Sequence, residues 1–445
     1  MEILFRGDAR ALGIVAKMKV DPEAEYRVSD HVLIHSKDGR HLVRQFLTKQ
    51  AVRLTDGEFE LLTRAQGCCV TGREIIDAGY EELVRSCYLV TRDSDECAEY
   101  LRTLELIRLM TKTVPGTAAY TILTTTACNA RCVYCFEEGI KPVTMNREMA
   151  DHVVDFICRT KHDGKIFLKW FGGEPLLTPG IISHICRSLG ERGVEYESKM
   201  TTNASLFTPE MAHEAKELWH LGLVQVSLDG HRSDYESRKK YVDPVRFNYD
   251  TVMRAVHYLL DEDIKVVLRC NYDEENLSRF EEFIEDVSRE FGGDVKPLVY
   301  LNPLYQNRRP DSFEKMIRRE IEIRDKFIER GFRNYREERK IQFKTNACMA
   351  DSCGRSVVIN ADGELYRCEH LIGSCGNILD GRGVAEREEF KVKPSVTDEC
   401  RRCTFLPHCT PFSKTGCPNK SGPTCKMLVR LNAERMLDLL VKDQS

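Results

Sequence analysis

The sequence lacks the features that mark several classes of protein. Lysine plus arginine nearly balance aspartate plus glutamate, 66 against 70, so the net charge is −4 and no basic excess draws the chain to phosphate backbones. No apolar run approaches the roughly 18 residues that a membrane helix needs. Arg6 and Asp8 interrupt the first apolar stretch, which therefore does not resemble a secretory signal. We expect a cytoplasmic protein with neither a nucleic-acid partner nor a membrane partner.

Cysteine, by contrast, is abundant, with 19 residues. Because the count is odd, a complete disulfide framework is impossible, and the cytosol keeps thiols reduced. Clustered cysteines in a cytosolic chain indicate metal ligands. Three of them lie between Cys128 and Cys135, and nine lie between Cys348 and Cys425. These two regions are therefore the candidate metal sites.

The middle of the chain alternates strand-like and helix-like segments. Six apolar runs indicate strands, in order AYTILTTTA, KIFLKWFGG, SKMTTNA, LVQVSLDG, KVVLRCNY and VKPLVYLNPL. Amphipathic segments such as NYDTVMRAVHYLLDED separate them and indicate helices. This alternation predicts a parallel sheet with helices outside, a partial (β/α)6 barrel over residues 117–305. Chemistry in such folds gathers at the carboxyl ends of the strands.

The segment before the barrel has a different pattern. Two strand-like runs flank the turn pair Asp38-Gly39, which predicts a hairpin. Capping boxes begin two short helices, one at Thr55 and one at Thr71. Strands combined with short helices predict a small winged-helix-like domain over residues 1–95.

Three further segments complete the predicted organisation. A linker helix covers residues 96–116, and a charged helical connector covers 306–345. The cysteine-rich domain covers 346–445 and contains a hairpin that turns at Asp362-Gly363 and a final helix. The sequence thus predicts an α/β chain, with a partial barrel between an N-terminal winged-helix-like domain and a C-terminal cysteine-rich domain.

Three cysteines follow the first predicted strand with the spacing Cys128-x3-Cys132-x2-Cys135. Three thiolates on one loop can hold three corners of a cubane iron–sulfur cluster and leave the fourth iron open. An open position on a metal centre is where substrate chemistry takes place. Thiolates suit zinc as well as iron, so a zinc site that lacks one ligand remains the alternative.

The run TACNARCVYCF resembles the signature of the radical S-adenosylmethionine (SAM) enzymes. The resemblance implies that the open iron binds SAM and that one electron from the cluster cleaves SAM to a 5′-deoxyadenosyl radical. Later strand ends resemble other motifs of the family in GGEP, TTNA and VSLDG. The cofactor-binding residues that the resemblance implies are Tyr134, Gly172, Gly173, Glu174, Asn203, Ser227 and Asp229.

The second cysteine region resembles the SPASM domain, which extends radical SAM enzymes and holds two auxiliary [4Fe-4S] clusters. The resemblance implies three [4Fe-4S] clusters in the chain. The two implied auxiliary ligand sets are Cys348, Cys353, Cys368 and Cys417, and Cys400, Cys403, Cys409 and Cys425. The family places a cysteine where this chain has Ser413, so Cys417 or the spare Cys375 completes the first set. A pair of zinc sites is the alternative.

The N-terminal segment 26–90 resembles the RiPP recognition element, which binds the leader of a ribosomally made precursor peptide as an added β-strand. Together these resemblances imply a radical SAM peptide maturase that forms a crosslink, the commonest being a cysteine thioether. Its partners would be the precursor peptide and a reducing electron donor such as flavodoxin or ferredoxin. Glu369 lies where sulfatase-maturing relatives carry an acidic catalytic base.

Three other functions remain open. A maturase that forms a carbon–carbon or carbon–oxygen crosslink would use the same parts. An anaerobic sulfatase maturase oxidises cysteine or serine to formylglycine, but that family lacks the leader-binding domain. A zinc-binding scaffold without catalytic activity predicts a colourless, air-stable protein that leaves SAM intact, whereas a radical SAM enzyme is brown and sensitive to oxygen.

Overall fold

The computed structural model describes residues 1–15, 19–111, 116–293, 295–304, 310–334, 349, 352, 354–391, 396, 398–409 and 424–442. Cys348, Cys353 and Cys417 lie outside the described residues, as do the side chains of Cys409 and Cys425. Within these ranges, none of the helices has the length and hydropathy that a membrane span requires.

The N-terminal region contains two small antiparallel sheets. Its strands are β1 Glu2–Phe5, β2 Glu25–Val28, β3 Val32–Lys37, β4 Arg40–Gln45, β5 Ala51–Leu54, β6 Val70–Thr71 and β7 Leu89–Thr91. Its helices are α1 Ala9–Val15, α2 Asp56–Gly67, α3 Gly72–Asp77, α4 Glu82–Arg85 and α5 Glu96–Thr111. One sheet has the order β1-β5-β4-β3 and the other β6-β2-β7.

The hairpin turn and the two capping boxes predicted for this region are present in the structure. Asp38 and Gly39 have φ values of 51° and 72°, which fits the two-residue turn between β3 and β4. Thr55 and Thr71 each cap a helix as part of a complete capping box. The short elements β1 and α1 were not predicted, because segments of four and seven residues carry too little periodicity. The winged-helix-like assignment remains a prediction.

A mostly parallel sheet forms the centre of the chain. Its strands are β8 Ala119–Leu123, β9 Ile166–Phe171, β10 Tyr196–Thr202, β11 Leu221–Ser227, β12 Lys265–Tyr272, β13 Leu298–Pro303, β14 Ser356–Ile359 and β15 Leu365–Tyr366. The helices that follow α5 are α6 Arg147–Thr160, α7 Pro179–Glu191, α8 Pro209–Glu217, α9 Arg232–Lys239, α10 Tyr249–Asp261, α11 Glu274–Leu277, α12 Phe280–Glu290 and α13 Pro310–Glu329. The eight strands have the order β13-β12-β11-β10-β9-β8-β14-β15, so the six predicted strands are adjacent in their predicted order.

The hairpin at Asp362-Gly363 differs from its prediction in one respect. It was assigned to the separate cysteine-rich domain, but β14 pairs in parallel with β8 and continues the central sheet. Val357, Val358 and Ile359 on β14 are fully buried, so this pairing removes apolar surface from water at an edge that would otherwise be open. Because β15 ends at Tyr366, the pairing also brings Cys368 beside the barrel.

The C-terminal helices pack against the N-terminal region. They are α14 Asp398–Arg401, α15 Leu406–Cys409 and α16 Thr424–Lys442. Phe46 meets Phe405 edge-on with ring centroids 5.1 Å apart, and the Lys49 ammonium donates to the Pro407 carbonyl at 3.2 Å. Leu437 on α16 packs with residues of β4 and β5. The N-terminal region is therefore bound tightly to the segment that contains Cys400 and Cys403.

Candidate functional site

The three cysteines after β8 line one cavity at the carboxyl ends of the strands, together with Tyr134, Gly172, Gly173, Asn203 and Ser227. Burial raises the pKa of all three thiols, that of Cys128 to about 12. Cations that bind there must therefore displace protons. The described residues contain no group of three or more His, Cys, Asp or Glu side chains able to hold one metal ion. A cubane cluster does not require such a group, because each cysteine ligates a different iron.

The segment around the end of α9 holds the cysteine loop in place. The Val133 N–H donates to the Arg238 carbonyl at 3.0 Å, and the Arg131 N–H donates to the Lys240 carbonyl at 2.9 Å. Lys240 adopts the left-handed conformation, with a φ of 48°, and this conformation ends α9. The loop is thus fixed by backbone hydrogen bonds to the segment 238–240.

Gly172 and Gly173 lie directly on the backbone that leads into the loop. Gly172 has a φ of +127°, and a Cβ atom at this position would lie 2.2 Å from the Thr125 carbonyl oxygen. A Cβ atom on Gly173 would lie 2.3 Å from the Ala127 carbonyl oxygen. Any side chain would therefore push the turn after β9 away from the loop, so glycine is required at both positions.

Glu174 lies behind the cavity wall and not in the cavity. Its side chain is fully buried and accepts hydrogen bonds from the Thr202 hydroxyl at 2.6 Å and the Asn203 N–H at 2.8 Å. Burial raises the pKa of Glu174. Asn203 lines the cavity, and its side-chain amide donates to Asn129 on the cysteine loop at 2.8 Å. Glu174 therefore positions Asn203, and the cofactor-binding role that the resemblance implies for Glu174 remains a prediction.

A chain of hydrogen bonds crosses three strand ends. The Tyr134 hydroxyl donates to Asp229, which also accepts from the Asn271 amide at 2.8 Å. The Asn302 amide donates to Asn271 at 3.1 Å. Asp229 is fully buried, whereas Asn271 and Asn302 line the cavity. Neither asparagine was among the predicted site residues, although both lie at the carboxyl ends of predicted strands, the fifth and the sixth, where chemistry gathers in such folds.

Lys239 places a buried positive charge on the same wall. It lines the cavity with 3% of its surface exposed, and its ammonium lies 4.0 Å from Asp229. Burial alone lowers the pKa of Lys239, but the neighbouring Tyr134, Cys132 and Asp229 raise it well above its usual value. The side chain therefore stays charged and would offset the negative charge of the thiolates once a metal displaces their protons. No local pattern around Lys239 indicates this role.

Glu369 lies at the rim of the cavity in an ion pair. The Lys169 ammonium is 2.5 Å from its carboxylate and lies over the ring of Phe171, a cavity residue, at 4.6 Å. The next residue, His370, packs against Phe136 with ring centroids 4.5 Å apart. Burial and the nearby Glu369 raise the pKa of Glu137, another cavity residue that the sequence analysis missed, to about 7.

The auxiliary ligand sets are only partly described. Cys400 and Cys403 belong to one short turn, in which the Cys403 N–H donates to the Cys400 carbonyl at 3.1 Å. Cys368 is half-buried near the cavity rim. Cys375 is 2% exposed inside the hydrophobic core of the barrel, and its thiol donates to the Gly373 carbonyl. With Cys348, Cys353 and Cys417 outside the described residues, the two implied sets remain a prediction.

Comparisons with known proteins agree with this geometry. Residues 122–287 match the model of the radical SAM superfamily. The chain is 26% identical over 273 residues to the uncharacterized protein MJ0907 of Methanocaldococcus jannaschii, covering 60% of this chain and 91% of that protein. It is 18% identical over 325 residues to the radical SAM cyclopropyl synthase TigE of Paramaledivibacter caminithermalis, covering 66% of each chain.

A solved structure has a similar fold. The native anSMEcpe structure with bound AdoMet (SAM) superposes with a TM-score of 0.58 at 15% identity and covers 74% of this chain and 100% of that chain. The same protein with bound AdoMet and the Kp18Cys peptide gives a TM-score of 0.56 at 16% identity, covering 73% of this chain and 99% of that chain. Residues 122–287 therefore form a radical SAM domain in an α/β fold, and the chain is an enzyme. Enzymes of this superfamily bind SAM and a [4Fe-4S] cluster.

Proposed function

We propose that the chain is a radical SAM peptide maturase that installs a crosslink, a cysteine thioether, in a ribosomally made precursor peptide. One observation carries the proposal: the strand ends bring Cys128, Cys132 and Cys135 into one cavity with the glycine turn and with Asn203. The radical SAM domain spans these residues. The peptide substrate and the type of bond are inferred from the flanking regions.

The residues of the cavity fit the implied cofactors. The three thiolates would hold the cluster, and the bare backbone at Gly172 and Gly173 would lie beside the methionine end of SAM. Ser227 presents a hydroxyl at the end of β11, suited to a ribose. When bound, the cluster and SAM supply a 5′-deoxyadenosyl radical that abstracts a hydrogen atom. The protein contributes placement, and the Glu174–Asn203 contact fixes the wall against the loop.

An open strand edge supports a peptide substrate. In a two-residue hairpin, the residues that flank the turn form a hydrogen-bonded pair, here Lys37 and Arg40. Because hydrogen-bonded and non-hydrogen-bonded pairs alternate, the backbone groups of Ile34 and Ser36 point away from β4. Among the described strands, β3 is the last of its sheet, so these groups face an edge to which a leader peptide can add as a further strand.

The cavity rim supports an oxidative crosslink. Closing a thioether removes a hydrogen atom from a carbon and a proton and an electron from a thiol, so the reaction needs a base and an iron–sulfur electron acceptor. Glu369 is the proposed base, because Lys169 keeps its carboxylate beside the cavity. Cys368 precedes it in the chain, and an auxiliary cluster that Cys368 would help to hold would supply the electron acceptor.

The decisive experiment measures metal content and SAM cleavage on one anaerobically reconstituted sample. We expect about twelve irons per chain, matching three cubane clusters, with 5′-deoxyadenosine as a product. Replacing Cys128, Cys132 and Cys135 with alanine should abolish SAM cleavage and remove about four irons. Cys68→Ala, at an exposed cysteine, is the matched control and should leave both unchanged. Zinc without iron, together with intact SAM, would show that the chain is a scaffold and not an enzyme of this kind.

A further inference from the structure

The outer side of the cysteine loop carries exposed apolar side chains that the cavity does not use. Val133 is 51% exposed, Val242 is 66% exposed and Val245 is 90% exposed. Backbone contacts bring the two segments together, since the Val242 N–H donates to the Asn129 carbonyl at 2.9 Å. The Val133 N–H donates to the Arg238 carbonyl at 3.0 Å, so the exposed valines lie along one pair of segments at the start and the middle of the loop. Exposed apolar side chains spread along one surface make it a candidate interaction site.

Basic side chains surround these valines. Arg131, Lys240 and Arg246 are all exposed, and the Arg131 guanidinium donates to the Cys128 carbonyl at 2.7 Å. Asp243 and Glu236 are exposed acidic residues close to them in the chain, and the Asp243 carboxylate accepts the Arg246 N–H at 3.1 Å. Three basic side chains against two acidic ones leave this surface with a net positive charge, although the whole chain has a net charge of −4. We name the surface formed by Arg131, Val133, Lys240, Val242, Val245 and Arg246 the loop face.

The position of the loop face gives it a function. The proposed function requires one electron for each SAM cleaved, and electron transfer slows steeply with distance. Val133 follows Cys132 directly, so the loop face lies within one residue of a cluster ligand. Phe136 and Phe171 line the cavity, where the proposed function places the substrate. An external donor therefore comes closest to the cluster across the loop face.

We infer that the loop face is the docking site of an acidic one-electron carrier protein. This inference rests on the proposed function, because only a redox enzyme with a cluster in this loop needs such a donor. The basic side chains would steer an acidic carrier, and the exposed valines would exclude water once it has docked. An apolar centre with a charged rim is the usual anatomy of a transient protein interface.

Stopped-flow reduction of the reconstituted enzyme tests the inference. Bleaching of the cluster absorbance would be followed with reduced flavodoxin, an acidic carrier, and separately with dithionite. Lys240→Glu combined with Arg246→Glu should slow reduction by flavodoxin at least about tenfold at low ionic strength, and the difference should shrink as salt is added. Val245→Asp should also slow it. Dithionite needs no docking surface, so its rate should not change.

A matched pair of charge reversals controls for net charge. Lys315→Glu combined with Arg330→Glu alters exposed side chains on and after α13 and should leave both rates unchanged. Equal flavodoxin rates for the loop-face variants and the wild type would overturn the inference. So would equal slowing by both reductants, or a wild type that dithionite reduces but flavodoxin does not. A wild type that dithionite cannot reduce would instead contradict the proposed function.

Discussion

At the scale of single residues, the turn after β9 has no room for a side chain at Gly172. Gly172 combines a φ of +127° with a site where a Cβ atom would lie 2.2 Å from a backbone oxygen. We expect Gly172→Ala to destabilise the protein by about 2 kcal/mol or more, because both the backbone strain and the clash must be relieved. SAM cleavage should fall to background, since the displaced turn supports the cysteine loop. Chemical unfolding and a 5′-deoxyadenosine assay measure the two effects.

Gly180 offers the matched control for that variant. It lies in the first turn of α7, and a Cβ atom there would contact nothing within 4 Å. Gly180→Ala should therefore raise the stability by about 0.5–1 kcal/mol, because it restricts the unfolded chain. If Gly172→Ala left stability and SAM cleavage as unaffected as the control does, the close approach of the turn to the loop would be refuted.

At the scale of elements, the proposed peptide substrate depends on the open edge of β3. Ser36→Pro removes an N–H group from the outer edge of β3 but spares the hydrogen bonds to β4. We expect it to weaken binding of the precursor leader about tenfold, the effect of one lost backbone hydrogen bond. Fluorescence anisotropy with a labelled leader measures the affinity. SAM cleavage without peptide should not change, because β3 does not contribute to the cavity.

Ser36→Ala is the control for the edge, since it alters the side chain but keeps the N–H group. Equal affinities for the proline and alanine variants would mean that the leader does not pair with β3. A leader that bound through side chains alone would give this outcome. The comparison separates backbone pairing from the contribution of the Ser36 side chain, which contacts His41.

The elements also show what a sequence can and cannot specify. Strands β8 to β13 and the capping boxes follow from local patterns, because burial periodicity and helix-end chemistry act over a few residues. The cavity residues Asn203 and Ser227 were implied by the resemblance of TTNA and VSLDG to family motifs, and both line the cavity because parallel strands bring their carboxyl ends together. The pairing of β14 with β8 does not follow, because it joins residues more than 200 positions apart and many strands would suit that edge. Nor does the inward direction of Glu174, which depends on Thr202 and Asn203 from the next strand.

At the scale of the whole molecule, the N-terminal region and the second cysteine region share one core. Leu33, Phe46, Phe405 and Leu406 are buried in the same hydrophobic cluster. Deleting residues 1–95 would therefore expose apolar surface on the remaining chain, so a deletion would not report on leader binding alone. Point changes that keep this core are the better test. The shared core also implies that metal at Cys400 and Cys403 affects the region that we propose binds the leader.

The last prediction concerns this coupling. Cys400→Ala combined with Cys403→Ala should remove about four irons while 5′-deoxyadenosine formation continues, because the first cluster is independent. Without the metal, residues 400–409 lose a cross-link, and the contacts of Phe46 with Phe405 and of Lys49 with Pro407 should loosen. We expect faster amide hydrogen exchange in β4 and weaker leader binding. Alanine at Cys128, Cys132 and Cys135 should leave the exchange of β4 unchanged, since that loop lies at the carboxyl ends of the barrel strands. Loss of iron from the Cys400 and Cys403 variant with unchanged exchange in β4 would show that the two regions pack together without any coupling through the metal.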